Sequence, residues 1–256
     1  MPMRSLTLWA LEPFPEVRPG MDLAALIADA LATCGIVPAD GDVLVVAQKV
    51  VSKAEGRIAD LREVTPGREA LALAAETGKD PRLVEVVLRE SRAINRRRPG
   101  LIIAEHRLGF ICANAGVDHS NVAGSEDVVS LLPLDPDRSA AGLREAMRAR
   151  FGVDVGVVVS DSHGRPHREG AVGVAIGLAG FAPLLSYVGR RDRYGYVLRT
   201  SVEAVADELA AAAGGALLEA ALHGGPGLGA GAGPPGWGHG GGYGGGSGGG
   251  HEEGDP

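Results

Sequence analysis

Two lysines, Lys49 and Lys53, lie four residues apart directly after the apolar run at residues 43–47. The chain uses arginine for almost all of its basic residues, and Lys79 is its third and last lysine. A polar patch at the carboxyl end of a strand is where α/β proteins bind ligands, and an ammonium group binds phosphate as a point charge. Residues 48–53 are therefore a candidate phosphate site, although a solvated strand end with surface lysines has the same composition.

A second segment, residues 112–121, follows an apolar strand and is rich in Asn, Gly, Asp and Ser. Small residues allow the backbone to approach a ligand, and the carboxylate of Asp118 offers hard oxygen atoms to Mg²⁺ or Mn²⁺. The same residue types also favour an Asx-rich turn without a ligand. The segment is thus a candidate metal site or a tight turn.

A third segment begins where a strongly apolar run meets the pair Asp161 and Ser162. An aspartate at a strand end is a common Mg²⁺ ligand beside phosphates, and Asp118 and Asp161, from separate strands, could hold one pair of metal ions. The following loop carries Arg165 and Arg168, whose guanidinium groups can form paired hydrogen bonds with a phosphate or a carboxylate. A capping or turn role for Asp161 is the alternative.

Several other kinds of site are disfavoured by the sequence. Asp161, Ser162 and His163 are adjacent in the chain, and adjacency does not give the geometry of a hydrolase triad. His163 and His167 are four residues apart, but Pro166 disfavours the helix that would bring both onto one metal ion. The sequence contains no Gly-x-x-x-x-Gly-Lys-Ser/Thr phosphate loop, which disfavours an ATPase of that class.

The composition limits the class of protein. The chain has 256 residues, of which 45% are hydrophobic and 22% charged, which is enough for a sizeable core. The net charge of -7 argues against a general nucleic-acid-binding protein. Cys34 and Cys112 cannot form a disulfide scaffold, and Cys112 is expected to be a buried structural thiol. We find no signal peptide and no apolar stretch of about 18 residues, so we expect a cytoplasmic protein without membrane segments.

Strands and helices alternate along the chain, which predicts an α/β or mixed α+β fold. Asp80 and Pro81 suit the first positions of a helix, and Thr200 and Glu203 have capping-box spacing. The Gly-rich residues 224–256 cannot bury enough apolar surface to fold and are predicted to be a disordered tail. Helices are expected at residues 22–33, from 80 onward, at 139–150 and at 200–213, and strands at 43–47, 101–104, 110–113, 155–160 and 171–176.

The segments at residues 42–57, 110–121, 160–177 and 183–213 together resemble the coenzyme F420-0:L-glutamate ligase family. The resemblance implies a two-domain subunit with a fold of its own, in which residues 1–223 form two intertwined subdomains, and it implies a homodimer. It also implies GTP-dependent ligation of L-glutamate to the lactyl carboxylate of coenzyme F420-0 through an acyl phosphate. Extension by a γ-linked glutamate is a further step that the resemblance suggests.

The resemblance also implies roles for individual residues, although it names no catalytic residue. It implies a divalent metal ion, Mg²⁺ or Mn²⁺, with K⁺ as a further candidate cation. The implied metal ligands are Asp118, Asp161 and Ser162. The implied GTP-binding residues are Phe14, Pro15, Glu16, Val17, Gln48, Lys53 and Asn121, and the candidates for substrate binding are Arg165 and Arg168.

Three features differ from the family pattern. His163 and His167 occupy positions at which the family usually has aromatic residues, and Gln48 replaces a small hydroxyl residue. Residues 214–223 do not match the Gly-containing nucleotide loop that follows the last helix of the family. Two other functions therefore stay open: a non-catalytic nucleotide- or deazaflavin-binding relative, and a ligase for another carboxylate substrate.

Overall fold

The computed structural model describes residues 5–119, 125–164 and 167–223, which mix helices with small sheets. They belong to one compact unit, Met1–Gly225, and their architecture confirms the predicted fold class. The helices are α1 (Leu23–Thr33), α2 (Gln48–Ala54), α3 (Arg68–Thr77), α4 (Pro81–Glu90), α5 (Pro136–Phe151) and α6 (Val205–His223). The strands are β1 (Val43–Ala47), β2 (Ile58–Asp60), β3 (Ser91–Arg98), β4 (Leu101–His106), β5 (Ile111–Ala113), β6 (Val128–Ser130), β7 (Gly156–Gly164), β8 (Ala171–Ala179), β9 (Leu185–Ser186) and β10 (Val202–Glu203).

One sheet has the order β1-β7-β8, and β1 runs parallel to β7. Its core is built from aliphatic side chains, with Ile27 of α1, Met147 of α5 and Val157 of β7 in one buried cluster. Ala47 lies opposite Ser160 in the parallel pair. Because parallel strands end at the same edge of a sheet, the residues that follow Ala47 and Ser160 are brought to the same place.

A second core lies under the antiparallel sheet β3-β4-β5. Val84 and Val87 of α4 pack there with Ile102 and Ala104 of β4. The strand β5 then leads into a tight turn, Asn114–Gly116, which ends just before Asp118. The second core therefore positions the segment that carries Asp118. The predicted division of residues 1–223 into two intertwined subdomains stays a prediction.

Helix starts follow the capping residues. The side chain of Asp22 accepts a hydrogen bond from the Ala25 N–H at 3.0 Å, and that of Asp80 accepts one from the Arg82 N–H at 2.8 Å. These contacts satisfy N–H groups that have no partner within a helix, and they confirm the predicted starts of α1 and α4. α5 begins at Pro136, three residues before the expected start, because Asp135 caps it.

Strand β7 is longer than the sequence indicates. The expected strand ends at Ser160, whereas β7 continues to Gly164. Asp161 and His163 face Val174 and Val172 of β8 in a regular antiparallel register, and this pairing extends the strand beyond its apolar part. The prediction that Asp161 and Ser162 stand at a strand end is therefore wrong, because both residues lie within a hairpin.

The expected helix at 200–213 begins later in the structure. α6 starts at Val205, and Val202–Glu203 instead pair with Leu185–Ser186 in a short ribbon. The capping-box interpretation of Thr200 and Glu203 is therefore wrong, because a strand partner outweighs the local signal. We call residues 184–203 the arm.

The predicted disordered tail, residues 224–256, lies outside the described residues.

Candidate active site

Three segments that carry polar and charged side chains come together where β1 ends, beside Ser160 of β7. Lys49 follows β1 by two residues, and Asp161 follows Ser160 of β7. The Nζ atom of Lys49 forms an ion pair with Oδ2 of Asp118 at 2.7 Å. This contact brings the segment after β5 to the same edge. The topology thus collects an ammonium group and carboxylates from segments that are distant in the sequence.

Asp118 is held in place by its backbone. Its N–H donates to the carbonyl of Ser130 at 3.1 Å, and the Ser130 N–H donates to the Asp118 carbonyl at 2.8 Å. The side chain of Asp118 is 47% exposed and that of Lys49 is 26% exposed, so the pair opens to solvent. A rigid backbone under an accessible carboxylate suits a ligand-binding group. Lys49 belongs to the candidate phosphate segment, which the scarcity of lysine in this chain indicates, but the sequence does not predict the ion pair of Lys49 with Asp118.

The side chain of Gln48 is buried and hydrogen-bonded within the protein. Its side chain is only 2% exposed, and its Nε2 donates to Ser52 Oγ at 2.7 Å and to the Leu131 carbonyl at 3.1 Å. Ser52 Oγ also donates to the Leu131 carbonyl, at 2.6 Å. These bonds fix α2 against the segment after β6. Lys53 lies on the same helix and is half-buried. The predicted GTP contacts of Gln48 and Lys53 stay predictions.

Asp161 and His163 form a pair on one face of β7. Alternate residues of a strand point to the same face, so Asp161 and His163 share a face and Ser162 points to the other. Asp161 Oδ2 and His163 Nε2 are 3.0 Å apart, and the two side chains are 18% and 16% exposed. Phe110 packs edge-on against the imidazole, with ring centroids 6.5 Å apart. The predicted metal-binding role of Ser162 stays a prediction, with its side chain on the face opposite Asp161.

Cys112 lies in the buried layer beside this pair. Burial, helped by the nearby negative charge of Asp161, raises the pKa of the Cys112 thiol to about 11. The thiol therefore stays protonated near neutral pH and is a poor nucleophile. This confirms the prediction of a buried structural thiol. It also shows that β5 and β7 come together next to Asp161.

The donor atoms at this edge suit a hard divalent cation. Carboxylate oxygens are typical ligands of Mg²⁺ and Mn²⁺, which keep water or phosphate oxygens in their remaining positions. Asp118 and Asp161 supply such oxygens from two segments. Across the residues that the structure describes, no three His, Cys, Asp or Glu side chains group closely enough to hold a metal ion. A cation here would therefore depend on few protein ligands and on oxygens from its substrates.

The other predicted binding residues are more dispersed. Phe14 and Val17 pack against the first hydrophobic core, whereas Pro15 and Glu16 are exposed. The chain just after them contacts the C-terminal end of α2, where the Gly20 N–H donates to the Ala54 carbonyl at 2.9 Å. Arg168 is exposed in the turn between β7 and β8. Asn121 and Arg165 lie outside the described residues.

Comparison with known proteins identifies the family of this chain. A family model described as F420-0:Gamma-glutamyl ligase matches residues 13–219. The chain is 49% identical over 208 residues to the coenzyme F420:L-glutamate ligase of Methanothermobacter thermautotrophicus, covering 81% of this chain and 82% of the relative. It is 50% identical over 214 residues to the ligase of that name from Methanopyrus kandleri, covering 82% of each chain.

None of the described helices is long and apolar enough to cross a membrane.

Proposed function

Because this chain belongs to the F420-0:gamma-glutamyl ligase family, we propose that it joins L-glutamate to the lactyl carboxylate of coenzyme F420-0 in a reaction that consumes GTP. The observation that carries the proposal is the ion pair between Lys49 and Asp118 at the end of β1, where the parallel pairing of Ala47 with Ser160 also places Asp161 of β7. Phosphoryl transfer to a carboxylate needs a cationic group that binds the phosphates and anionic groups that bind the divalent cation. This edge offers both.

The proposed reaction has two steps. An oxygen of the lactyl carboxylate attacks the γ-phosphorus of GTP, the bond to the β-phosphate oxygen breaks, and GDP leaves. The amine nitrogen of L-glutamate then attacks the carbonyl carbon of the acyl phosphate, loses a proton and displaces phosphate. Extension by a γ-linked glutamate would repeat these steps on the new carboxylate. Catalysis of this kind depends mainly on positioning and on neutralising negative charge.

The residues of this chain supply charge of both signs. Lys49 and Lys53 are one helical turn apart on α2, so both ammonium groups can approach phosphate oxygens from one side. Asp118 and Asp161 would hold the divalent cation, Mg²⁺ or Mn²⁺, which would offset phosphate charge when bound. K⁺ stays a candidate for a second cation. Arg168 is placed in an exposed turn from which it could bind the anionic substrate.

We also propose that the protein acts as a homodimer. The arm is ordered by its own hydrogen bonds, including those from the Tyr187 N–H to the Ser201 carbonyl and from the Gly189 N–H to the Leu198 carbonyl, both 2.9 Å. It nevertheless leaves large apolar side chains in solvent. Large exposed apolar side chains concentrated in one ordered segment are typical of an interaction site. A second copy of the chain is the partner that the family resemblance indicates. The exposed apolar residues of the arm are Leu184, Leu185, Val188, Tyr194, Tyr196, Val197 and Val202.

Mass spectrometry tests the proposed reaction. Purified protein is incubated with F420-0, L-glutamate, Mn²⁺ and GTP, and we expect the product to gain one or more glutamyl units. Omission of GTP should abolish the gain. A gain that does not need GTP, or no gain in the complete mixture, would contradict the proposal.

A variant of Asp161 tests the site. Asp161→Asn removes a negative charge while keeping the shape of the side chain, so we expect ligation to fall by at least about 100-fold because charge neutralisation at the phosphates is lost. The thermal unfolding temperature should stay close to that of the parent. Ligation at the parent rate in a folded Asp161→Asn protein would remove Asp161 from the mechanism.

A further inference from the structure

We propose that His163 is a direct ligand of the divalent cation, together with Asp161, and that its imidazole gives the site a preference for Mn²⁺ over Mg²⁺. The inference rests on the proposed cation dependence of the ligase. A mostly buried imidazole stands beside the carboxylate that is expected to bind metal, and the proposed reaction gives this imidazole no role.

The distance between the two side chains fits a shared cation. Asp161 Oδ2 and His163 Nε2 are 3.0 Å apart. Two ligands at right angles around an octahedral cation, each about 2.1 Å from it, are separated by about 3.0 Å. The two atoms therefore already have the spacing of adjacent ligands. A cation could bind both without any change in the backbone of β7.

The surrounding structure holds both ligands in place. Asp161 and His163 lie on one face of β7, in regular register with Val174 and Val172 of β8. The ring of Phe110 packs against the imidazole at 68° and limits its rotation. Both side chains are mostly buried, so little conformational freedom is lost when they bind a cation. Such preorganisation is typical of metal ligands rather than of surface polar residues.

The chemistry of imidazole sets the metal preference. Mg²⁺ prefers oxygen ligands, whereas imidazole nitrogen is a good ligand for transition metals. A site with one carboxylate and one imidazole should therefore bind Mn²⁺ more tightly than Mg²⁺. His163 would bind through the Nε2 lone pair, in the tautomer that carries its proton on Nδ1. The competing explanation is a simple hydrogen bond from Nε2–H to Asp161, with all cation ligands being oxygens.

Electron spin-echo envelope modulation, which detects ¹⁴N nuclei bound to Mn²⁺, distinguishes the two explanations. The full-length protein is loaded with Mn²⁺ alone, and we expect modulation from a directly bound ¹⁴N nucleus. His163→Gln keeps a hydrogen-bond donor for Asp161 but has no imidazole, so the ¹⁴N modulation should disappear. The ratio of Mn²⁺ to Mg²⁺ affinity, measured by calorimetry, should fall by about tenfold. His163→Phe should give the same two changes, and it provides a second variant if His163→Gln does not fold.

His167 provides the matched control. It is exposed and belongs to the same segment, and its backbone has the left-handed φ of 61° that asparagine tolerates well. His167→Asn should keep both the ¹⁴N modulation and the metal preference. Loss of the modulation in this variant but not in His163→Gln would overturn the proposal and identify a different ligand.

The remaining outcomes separate this inference from the proposed function. If the parent protein binds Mn²⁺ without ¹⁴N modulation, and Asp161→Asn abolishes that binding, His163 is not a ligand while the proposed cation site stands. If the parent protein ligates glutamate with GTP but binds no Mn²⁺, the inference fails and the ligase function stands. If it neither binds Mn²⁺ nor ligates glutamate, both proposals fail.

Discussion

At the scale of single residues, the ion pair between Lys49 and Asp118 is the most informative contact of the site. The pair joins the segment after β1 to the segment after β5 at 2.7 Å. The ammonium group therefore occupies a position beside the carboxylate that a divalent cation would also seek. We infer that Lys49 and the cation compete for Asp118 when no nucleotide is bound, and that phosphates give Lys49 another partner.

Lys49→Met tests this competition. Removal of the ammonium group ends its competition for the Asp118 carboxylate, so Mn²⁺ should bind about threefold to fivefold more tightly, which corresponds to about 1 kcal/mol for an exposed pair. The kcat/KM for GTP should fall at the same time, because a phosphate partner is lost. Calorimetric titration with Mn²⁺ and steady-state kinetics with varied GTP measure the two effects.

Lys79→Met is the control for that experiment. Lys79 lies in the loop between α3 and α4, outside the three segments of the site, so Lys79→Met should change neither the Mn²⁺ affinity nor the kcat/KM for GTP. If Lys49→Met weakened Mn²⁺ binding instead, Lys49 would support the cation site and the competition would be refuted.

The residue types of the site could be predicted from the sequence, but their pairings could not. Asp118 and Asp161 were recognisable because they follow apolar runs. The partner of Asp118 is 69 positions away in the chain, at Lys49, and depends on the parallel pairing of β1 with β7. The burial of Gln48 likewise depends on Leu131, which belongs to a different segment. Local sequence carries no information about such long-range contacts.

At the scale of elements, the turn after β5 determines where Asp118 stands. Gly116 has a left-handed φ of 72°, and a Cβ atom on it would lie 2.7 Å from the side chain of Leu132. Both the backbone angle and the space therefore require glycine at this position. Leu132 is fully buried in the first hydrophobic core, so it has little room to move.

Gly116→Ala should destabilise the fold by about 2 to 3 kcal/mol, because it adds a steric clash to an unfavourable backbone angle. Gly109→Ala is the matched control, since Gly109 also has a positive φ, 93°, but no atom lies within 4 Å of the added methyl group. The difference between the two variants in urea unfolding gives the contribution of the clash. Equal destabilisation by both would show that Leu132 relaxes freely.

A buried ionic cluster joins α4 to the elements around it. Glu90 accepts hydrogen bonds from Arg57 Nη2 at 2.7 Å and from Arg107 Nη2 at 2.8 Å, and His106 lies 3.4 Å away. Burial alone would raise the pKa of Glu90, but the close approach of His106, the hydrogen bond from Arg107 and the charges of both arginines lower it to about 2. The ionised carboxylate is thus strongly favoured in the folded protein.

The acid stability of the protein should depend on Glu90. The pKa of Glu90 in the folded state lies below the ordinary 4.5. Its contribution to the free energy of unfolding is therefore complete above about pH 4.5 and is lost as the pH falls towards 2. Glu90→Gln should lower the free energy of unfolding by about 3 kcal/mol at pH 7, because two arginines lose a buried partner. The decrease should be smaller at pH 3. Urea unfolding at several pH values measures this. Glu76→Gln, in an exposed ion pair with Arg97, should cost little at any pH, and a similar cost would refute the argument.

Elements with strong local signals were predictable from sequence, whereas elements that depend on a distant partner were not. Asp80 and Pro81 mark the start of α4 correctly because capping is a local interaction. The continuation of β7 through Asp161 to Gly164 depends on β8, and the late start of α6 depends on the pairing of β10 with β9. In both cases polar residues that resemble a loop or a cap are held by cross-strand hydrogen bonds.

At the scale of the whole molecule, the arm differs in composition from the core. Aromatic residues make up only 4% of the chain, yet Tyr187, Tyr194 and Tyr196, three of its 4 tyrosines, lie within the arm. Tyr194 is 89% exposed. Tyrosines are enriched at protein interfaces, where they supply a large contact area at low entropic cost. The concentration of tyrosine in an exposed, ordered segment is therefore best explained by a partner surface, which we propose to be a second copy.

The double variant Tyr194→Ser with Tyr196→Ser tests this assembly. Loss of two large side chains from the contact should shift the mass measured by light scattering at micromolar concentration from twice 26.2 kDa towards 26.2 kDa. Val37→Ser is the control, because Val37 is an equally exposed apolar residue, at 84%, outside the arm, and its loss should leave the dimer intact. The variant should stay folded, since the two tyrosines make no contribution to either core. A parent protein that is monomeric at this concentration would refute the dimer, and an unchanged dimer in the double variant would place its interface elsewhere than on these tyrosines.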